Sequence, residues 1–341
     1  MFGTYVLFYI LAFAGVLAGS LQELKLEASA YKQAAYADST KKTYRSQIKS
    51  YFAFCIKFGL VPIPASQETL CYYMTFLSRS LSSSSIPGYM NVIRIIHLEA
   101  GYTNPLDKNW ELKLLHRGIL RLLGVPPKQK LPISVEMLLK MSRAIANHPA
   151  DYAFWAACLI AFFGFMRKST LIPSTDAWSL GKYIARCDVS CFTLSSFLIT
   201  VKNSKTIQFG QRVHTLPFVS CVDSRICPVR ALLKHLGASP LPLTAPLFDY
   251  LVGSAQINFS HSFFVKRLRK CLIEVGESPK DISCHSFRRG GATLAFMAGL
   301  SAADIKLRGD WASNAYEKYL CVSNEHALRS AQTLVSFAAT L

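Results

Sequence analysis

Cys284-His285-Ser286-Phe287-Arg288-Arg289-Gly290-Gly291-Ala292-Thr293 is followed by Trp311, 26 residues after the histidine, and by Tyr319, eight further on. A spacing of three on a helix sets His285 and Arg288 one turn apart, so both side chains can enter one site. Imidazole moves protons near neutral pH, and guanidinium stays charged and donates to two phosphate oxygens at once. A phenol is a nucleophile once it loses its proton. These are the groups that attack on a phosphodiester needs when no metal takes part. Gly290 and Gly291 each cost a helix about 1 kcal/mol relative to alanine. Close approach of another backbone, or of DNA, would explain them.

Working outward, a second arginine follows a strongly apolar helical stretch, residues 152–166, and Arg167 stands at its end. A charge beside so apolar a run is costly to bury unless it is committed. Residues 195–201 and 213–218 run apolar or alternate with β-branched side chains, which predicts two strands joined by the turn-rich stretch 203–211. Residues 261–275 form an amphipathic helix with Phe264, Leu268, Cys271, Leu272 and Val275 inward and Lys266, Arg267, Arg269 and Lys270 outward. Gly299 ends the helix begun near Ser286, and Ser301-Ala302-Ala303-Asp304 starts the next. This part is therefore mostly α with one small β-sheet.

The front of the chain, from Leu21 to Gly124, is helical in pattern. Ser39 or Thr40 can cap a helix whose Tyr44, Ile48, Tyr51, Phe52 and Cys55 form one apolar stripe. Lys41, Lys42, Arg45 and Lys49 lie outside that stripe, as phosphate contacts or as a solvated face. Further helices at 69–81, 90–100 and 110–123 complete a small bundle. Val125-Pro126-Pro127-Lys128-Gln129-Lys130-Leu131-Pro132 cannot continue a helix and reads as a linker. The expected organisation is an apolar leader at 1–22, a helical domain at 23–124, a linker at 125–132 and a second domain at 133–341.

At 341 residues the chain has room for two cores. Its net charge is +18, with +8 over residues 1–130 (15 basic, 7 acidic) and +10 over the rest (23 basic, 13 acidic). Both parts thus carry the excess, as expected if both grip a polyanion. The ten cysteines contain no Cys-x-x-Cys pair and no histidine at zinc-ligand spacing, so free buried thiols in a reducing compartment are expected. Residues 2–19 are an uncharged apolar run that could serve as a signal peptide or short span, but no Lys or Arg precedes it. An upstream extension or a misassigned start fits that pattern better than a membrane anchor.

The ordered set Gly164-Phe165-Met166-Arg167, Lys202-Asn203-Ser204-Lys205-Thr206 with Gly210-Gln211-Arg212-Val213, His285-Ser286-Phe287-Arg288, Gly309-Asp310-Trp311 and Ala315-Tyr316-Glu317-Lys318-Tyr319-Leu320 resembles the signature of the tyrosine recombinase (phage-integrase) family. The form His-Ser-Phe-Arg-Arg-Gly-Gly is most similar to recombinases of eukaryotic Crypton and DIRS-like mobile elements. The resemblance covers roughly residues 30 to 325. It implies a helical, SAM-like core-binding domain followed by a mixed α/β catalytic domain, mainly α overall with a small sheet.

The same resemblance implies that Tyr319 attacks the scissile phosphate to leave a 3′-phosphotyrosyl protein and a free 5′-hydroxyl. Arg167 and Arg288 would stabilise the phosphorane, His285 would act as base or hydrogen-bond partner, and Trp311 would pack and donate from its indole. The hairpin lysine would protonate the departing oxygen; Lys205 matches that role better than Lys202 because of the Lys-Thr dipeptide. Tyr319 matches the spacing better than Tyr316. Thr170 occupies a position that is often acidic in the family. The implied partner is double-stranded DNA, engaged as a homotetramer on paired sites with residues 322–341 as an intersubunit tail. No metal and no cofactor are implied, and a eukaryotic host would place the protein in the nucleus. A different class of reading is a domesticated DNA-binding protein that keeps the fold without cutting. A type IB topoisomerase shares the chemistry but needs a larger clamp.

Overall fold

The computed structural model describes residues 20–126, 129–173, 178–191 and 193–320, with positions 328, 331, 332, 335, 336 and 338 beyond them. The apolar run 2–19 and the centre of the linker lie outside the described residues, as does most of the expected intersubunit tail. Among the described residues no helix is long and apolar enough to cross a membrane. Two compact units meet between residues 127 and 128, inside the proline-rich stretch.

The first unit contains α1 (Leu21–Ala34), α2 (Asp38–Phe58), α3 (Gln67–Ser78), α4 (Ile86–Glu99) and α5 (Trp110–Leu123). Tyr51, Phe54 and Cys55 of α2 are buried against Leu70, Tyr73, Met74 and Leu77 of α3 and Met90, Ile93 and Ile96 of α4. Their polar ends are satisfied inside: the Tyr51 hydroxyl donates to the Pro62 carbonyl at 2.9 Å. His97 is buried, and its Nε2 accepts from the Ala65 N–H at 2.9 Å, so Nδ1 carries the proton and donates to the Ile93 carbonyl at 2.7 Å. Three helix starts differ from expectation. α3 begins at Gln67, two residues ahead of 69, behind Ser66, whose hydroxyl accepts from the Thr69 N–H. α2 begins at Asp38 behind Ala37, which makes no side-chain cap, so Ser39 and Thr40 lie inside the first turn, where Asp38 favours the positive helix end. α4 begins at Ile86 because Pro87 sits in its first turn, where a missing N–H costs nothing.

The second unit runs α6 (Val135–Ser142), α7 (Pro149–Phe163), α8 (Lys168–Leu171), β1 (Val189–Ser190), β2 (Ser196–Val201), β3 (His214–Val219), α9 (Pro228–Ala238), β4 (Tyr250–Val252), β5 (Ala255–Ile257), α10 (His261–Glu274), α11 (Cys284–Met297), α12 (Ala302–Gly309) and a closing 3-10 turn, Asn314–Tyr319. α7 is apolar on all sides and buried from Ala153 to Phe162, which makes it the axis of the unit. α9 and α11 pack on it. It stops at Phe163, short of the expected 166, because Gly164 ends the helix and Phe165 turns into the left-handed region at φ 47°. β1, β2 and β3 form an antiparallel sheet in that order, with Val201 opposite His214. Phe197, Ile199 and Val201 face the core with Leu216 and Phe218, and the Phe197 and Phe218 rings stack at 4.8 Å. β1 and the β4–β5 hairpin are two or three residues long, too short to show a period.

Arg267 corrects the expected outward face of α10. Its side chain is 11% exposed and pairs with the buried Asp151 carboxylate at 2.6 Å. A carboxylate buried at the start of α7 requires such a partner. The described cysteines are free, as expected, but Cys187 and Cys191 are exposed rather than buried.

The paired glycines of α11 mark where this helix crosses the chain before α6 and the end of α7. A Cβ on Gly290 would strike the Ile133 carbonyl, and one on Gly291 would strike the Phe162 carbonyl. Backbone cannot retreat as a flexible side chain can. Gly290→Ala or Gly291→Ala should therefore lower stability by roughly 3 kcal/mol, read as a fall in urea midpoint. A midpoint unchanged within error would show that the close approach is not obligatory.

Candidate active site

α11 carries two of the candidate residues on its first turn, held by the buried Phe287 between them and by the Ser286 hydroxyl, which accepts from the Ser283 N–H at 2.9 Å. Arg288 points inward and is 2% exposed. It donates to the Phe165 carbonyl, and to the Gly309 carbonyl at 2.6 Å. Its guanidinium lies 3.8 Å from the centroid of the Trp311 ring and 5.5 Å from that of Tyr319. Nε has no partner among the described residues. Burial first, then the charge of Arg167, pushes its pKa below the usual arginine value; arginine remains a cation throughout this range.

Arg167 stands at the start of α8, half-buried; its carbonyl accepts from the Thr170 N–H at 2.9 Å, while its side chain makes no hydrogen bond or ion pair among the described residues. Phe165, two residues earlier, is a bulky side chain in left-handed backbone, a conformation seldom held without compensation. Here the compensation is local: its carbonyl accepts from Arg288 and its ring packs on Trp311 at 6.3 Å.

His285 sits at the exposed mouth of the site, its ring 6.1 Å from that of Tyr319. Desolvation by the surrounding protein, then the charges of Arg288, Arg167, Lys168 and Lys205, lower its pKa from 6.5. Because the residue is exposed, the repulsion from four cations is the firmer of these causes. The ring is therefore mostly neutral at pH 7 and able to accept a proton.

The two ambiguities in the sequence separate here. Lys202, just after β2, is committed to the Asp188 carboxylate at 2.6 Å, beside β1. Lys205 is exposed on the β2–β3 loop, makes no ion pair among the described residues, and its charge is felt at His285. Tyr316 is 8% exposed and sits in the small core formed by Phe165, Ala292, Ile305 and Trp311. Tyr319 is half-buried with its ring 5.3 Å from Trp311. Its carbonyl accepts from the Thr293 hydroxyl at 3.4 Å and from Arg289 Nε at 3.5 Å, both on α11. Trp311 is 8% exposed, and its indole N–H has no partner among the described residues.

Arg288 lies against Trp311 and Tyr319, His285 lies beside Tyr319, and the charges of Arg167 and Lys205 reach His285, so the six residues gather in one part of the second unit. Lys41, Lys42, Arg45 and Lys49 belong to the first unit: Lys42, Arg45 and Lys49 are exposed along α2, while Lys41 is half-buried and 3.7 Å from Asp38. No group of three or more potential metal ligands occurs among the described residues. The sequence reading gave no role to Lys168, to Asp310 or to the half-buried Arg308, which donates to the Phe163 carbonyl at 2.6 Å and the Pro217 carbonyl at 3.0 Å. Their partners lie far off in the chain, so no local pattern reveals them.

Such a cluster repels itself unless an anion enters. Two guanidiniums, an ammonium and an unpartnered indole N–H converge beside a phenol and a neutral imidazole. That arrangement suits a phosphate ester whose oxygens gain charge during attack.

No family model matches this chain. It is 24% identical over 292 residues, 83% of its length and 81% of the relative's, to an integrase/recombinase XerD homolog of Selenomonas ruminantium. Its fold is similar to that of the Tn1549 transposon integrase solved with transposon right end DNA, at TM-score 0.60 and 14% identity over 91% of this chain and 98% of that one. It is also similar to the XerH site-specific recombinase in a post-cleavage complex with palindromic difH substrate, at TM-score 0.59 and 13% identity over 86% and 78%. A lambda integrase dimer bound to a COC′ core site matches at TM-score 0.55 and 13% identity over 87% and 93%. The ordered arginine, His-x-x-Arg, tryptophan and tyrosine motifs thus meet in one site of a chain that is similar in sequence to an integrase/recombinase and in fold to solved integrases and site-specific recombinases.

Proposed function

We propose that this protein is a site-specific DNA recombinase of mobile-element origin that cuts and rejoins duplex DNA through a 3′-phosphotyrosyl intermediate. The observation that carries the reading is the placement of the Tyr319 ring against Arg288, His285 and Trp311, while Tyr316 is spent in the core. The motif His285-Ser286-Phe287-Arg288-Arg289-Gly290-Gly291 supports an origin among eukaryotic mobile elements of the Crypton or DIRS kind, and hence action in the nucleus.

In this scheme the Tyr319 Oη–P bond forms as the P–O5′ bond breaks. The phenolic proton passes to His285, and Lys205 gives a proton to the departing O5′. Arg167 and the uncommitted N–H groups of Arg288 hold the non-bridging oxygens, with the Trp311 indole N–H as a further donor. The fixed cations supply the charge stabilisation that a metal ion gives other phosphoryl-transfer sites. Because the bond energy stays in the tyrosyl ester, a 5′-hydroxyl from another strand can reverse the step. Exchange between two duplexes requires two cuts on each, which a homotetramer on paired sites provides. The exposed Lys42, Arg45 and Lys49 of the first unit would contact the backbone of the bound duplex.

The test uses nicked suicide duplexes built from the DNA flanking the gene, together with a randomised library, and selects protein–DNA adducts that survive detergent. Wild type and Tyr316→Phe should form the adduct and Tyr319→Phe should not. No adduct from wild type, with specific DNA binding intact, would favour the domesticated binding protein.

Acid should switch the reaction off. The second-order cleavage rate, which reports the free protein, should fall as pH drops through the His285 pKa, with a midpoint below 6.5. That limb should vanish in His285→Asn; a limb that persists there would remove His285 as the proton acceptor.

Binding should depend on salt through the first unit as well. Replacing Lys42, Arg45 and Lys49 by alanine should reduce the slope of log K against log salt by up to roughly 3. An unchanged slope would place those residues on a solvated face.

A further inference from the structure

The loop that carries Lys205 is held from outside itself. Asp310 lies in the turn after α12, in left-handed backbone at φ 54°, with its side chain 12% exposed. Its carboxylate accepts from the Ser204 hydroxyl at 3.3 Å, from the Thr206 hydroxyl and from the Arg212 guanidinium. Those three residues bracket Lys205 on both sides. The neighbours of Asp310 are equally committed: the Gly309 carbonyl accepts from Arg288, and the Trp311 ring lies under the same guanidinium. One three-residue turn therefore grips the buried arginine with its flanks and the lysine loop with its centre.

We propose that Asp310 is a positioning residue that ties the β2–β3 loop to the Gly309–Trp311 turn and so sets the reach of Lys205. Its catalytic consequence rests on the recombinase reading above; the tether itself does not. Two further observations support the assignment. Burial would raise the Asp310 pKa, yet hydrogen bonds from Thr206 and Arg212 and the Arg212 charge hold it below the ordinary aspartate value, so the carboxylate is ionised at neutral pH. Asp310 is also the one acidic residue described around the small cavity lined by Arg167, Thr170, Arg288 and Arg308. Thr170 leaves that cavity without a carboxylate of its own, and the adjacent turn supplies one. Aspartate is among the few residues that hold left-handed backbone readily, so a single position satisfies the turn and the tether together.

The test compares wild type with Asp310→Asn, which keeps a side chain suited to left-handed backbone, and with Arg212→Gln, which spares the turn. Hydrogen exchange of the free proteins should show the amides of residues 203–212 exchanging at least tenfold faster in both variants, with β2 and β3 unchanged. Equal exchange in wild type and Asp310→Asn overturns the tether, whether or not the protein cuts DNA. On duplexes that give the wild-type adduct, Asp310→Asn should lose about 100-fold in cleavage. A bridging 5′-thiolate leaving group needs no proton, so it should restore Asp310→Asn to within about tenfold of wild type, as it restores Lys205→Ala. Rescue of Lys205→Ala alone overturns the proposed link between Asp310 and the lysine. Failure to rescue Lys205→Ala instead removes Lys205 as the acid, and exchange then decides the tether alone.

Discussion

A guanidinium buried at the centre of the second unit is costly unless its surroundings answer it. Arg288 is answered in part, by the Phe165 and Gly309 carbonyls and by the face of Trp311. What remains is positive charge, increased by Arg167 and Lys205, in a space with Asp310 as its one described acid. Each nearby oddity serves that arrangement. Phe165 accepts left-handed backbone and directs its carbonyl to Arg288, and Gly309 leaves room for the Trp311 ring that a Cβ would strike. The paired glycines let α11 come close enough to α7 to bring the arginine in. The fold thus carries a standing positive charge that suits an anionic group.

The tyrosine depends on the same helix. Thr293 and Arg289 of α11 hold the Tyr319 carbonyl, so the turn that presents the phenol is fastened to the element that presents His285 and Arg288. Relative placement of the phenol, the imidazole and the buried guanidinium is then a property of one helix and its attachments. Catalysis by orientation asks for that kind of rigidity. The lysine stands apart, on a loop tied in by the buried Ile207 and by the hydrogen bonds to Asp310, which suits the late proton transfer proposed for it.

Much of this was legible in the chain because the chemistry is dense and local. His285 and Arg288 share one helical turn, and the crossing glycines announce a close contact before the contacting atoms are known. The order of motifs also carried the resemblance to tyrosine recombinases, and with it the mainly helical class. Choices between near neighbours were less legible. Lys202 and Lys205 differ by their partner, and that partner, Asp188, lies on the far side of β1 in sequence. Tyr316 and Tyr319 both pack on Trp311, and they differ in that Tyr316 is buried in that core while Tyr319 is half-buried beside Arg288 and His285. Asp310 was quoted within a motif without a role and Arg267 was placed on an outward face, because their partners are about a hundred residues away. The short strands escaped because two or three residues show no alternation, and the starts of α2 and α4 shifted because an alanine and a proline can open a helix that neighbouring packing stabilises.

The most direct measurement of the central claim is the chemical identity of the bond between protein and DNA. Digestion of a trapped adduct, followed by mass spectrometry of the nucleotide-bearing peptide, should find the Tyr319 phenolic oxygen joined to a 3′-phosphate. Attachment at Tyr316, at any other residue, or through a 5′-phosphate would contradict the account.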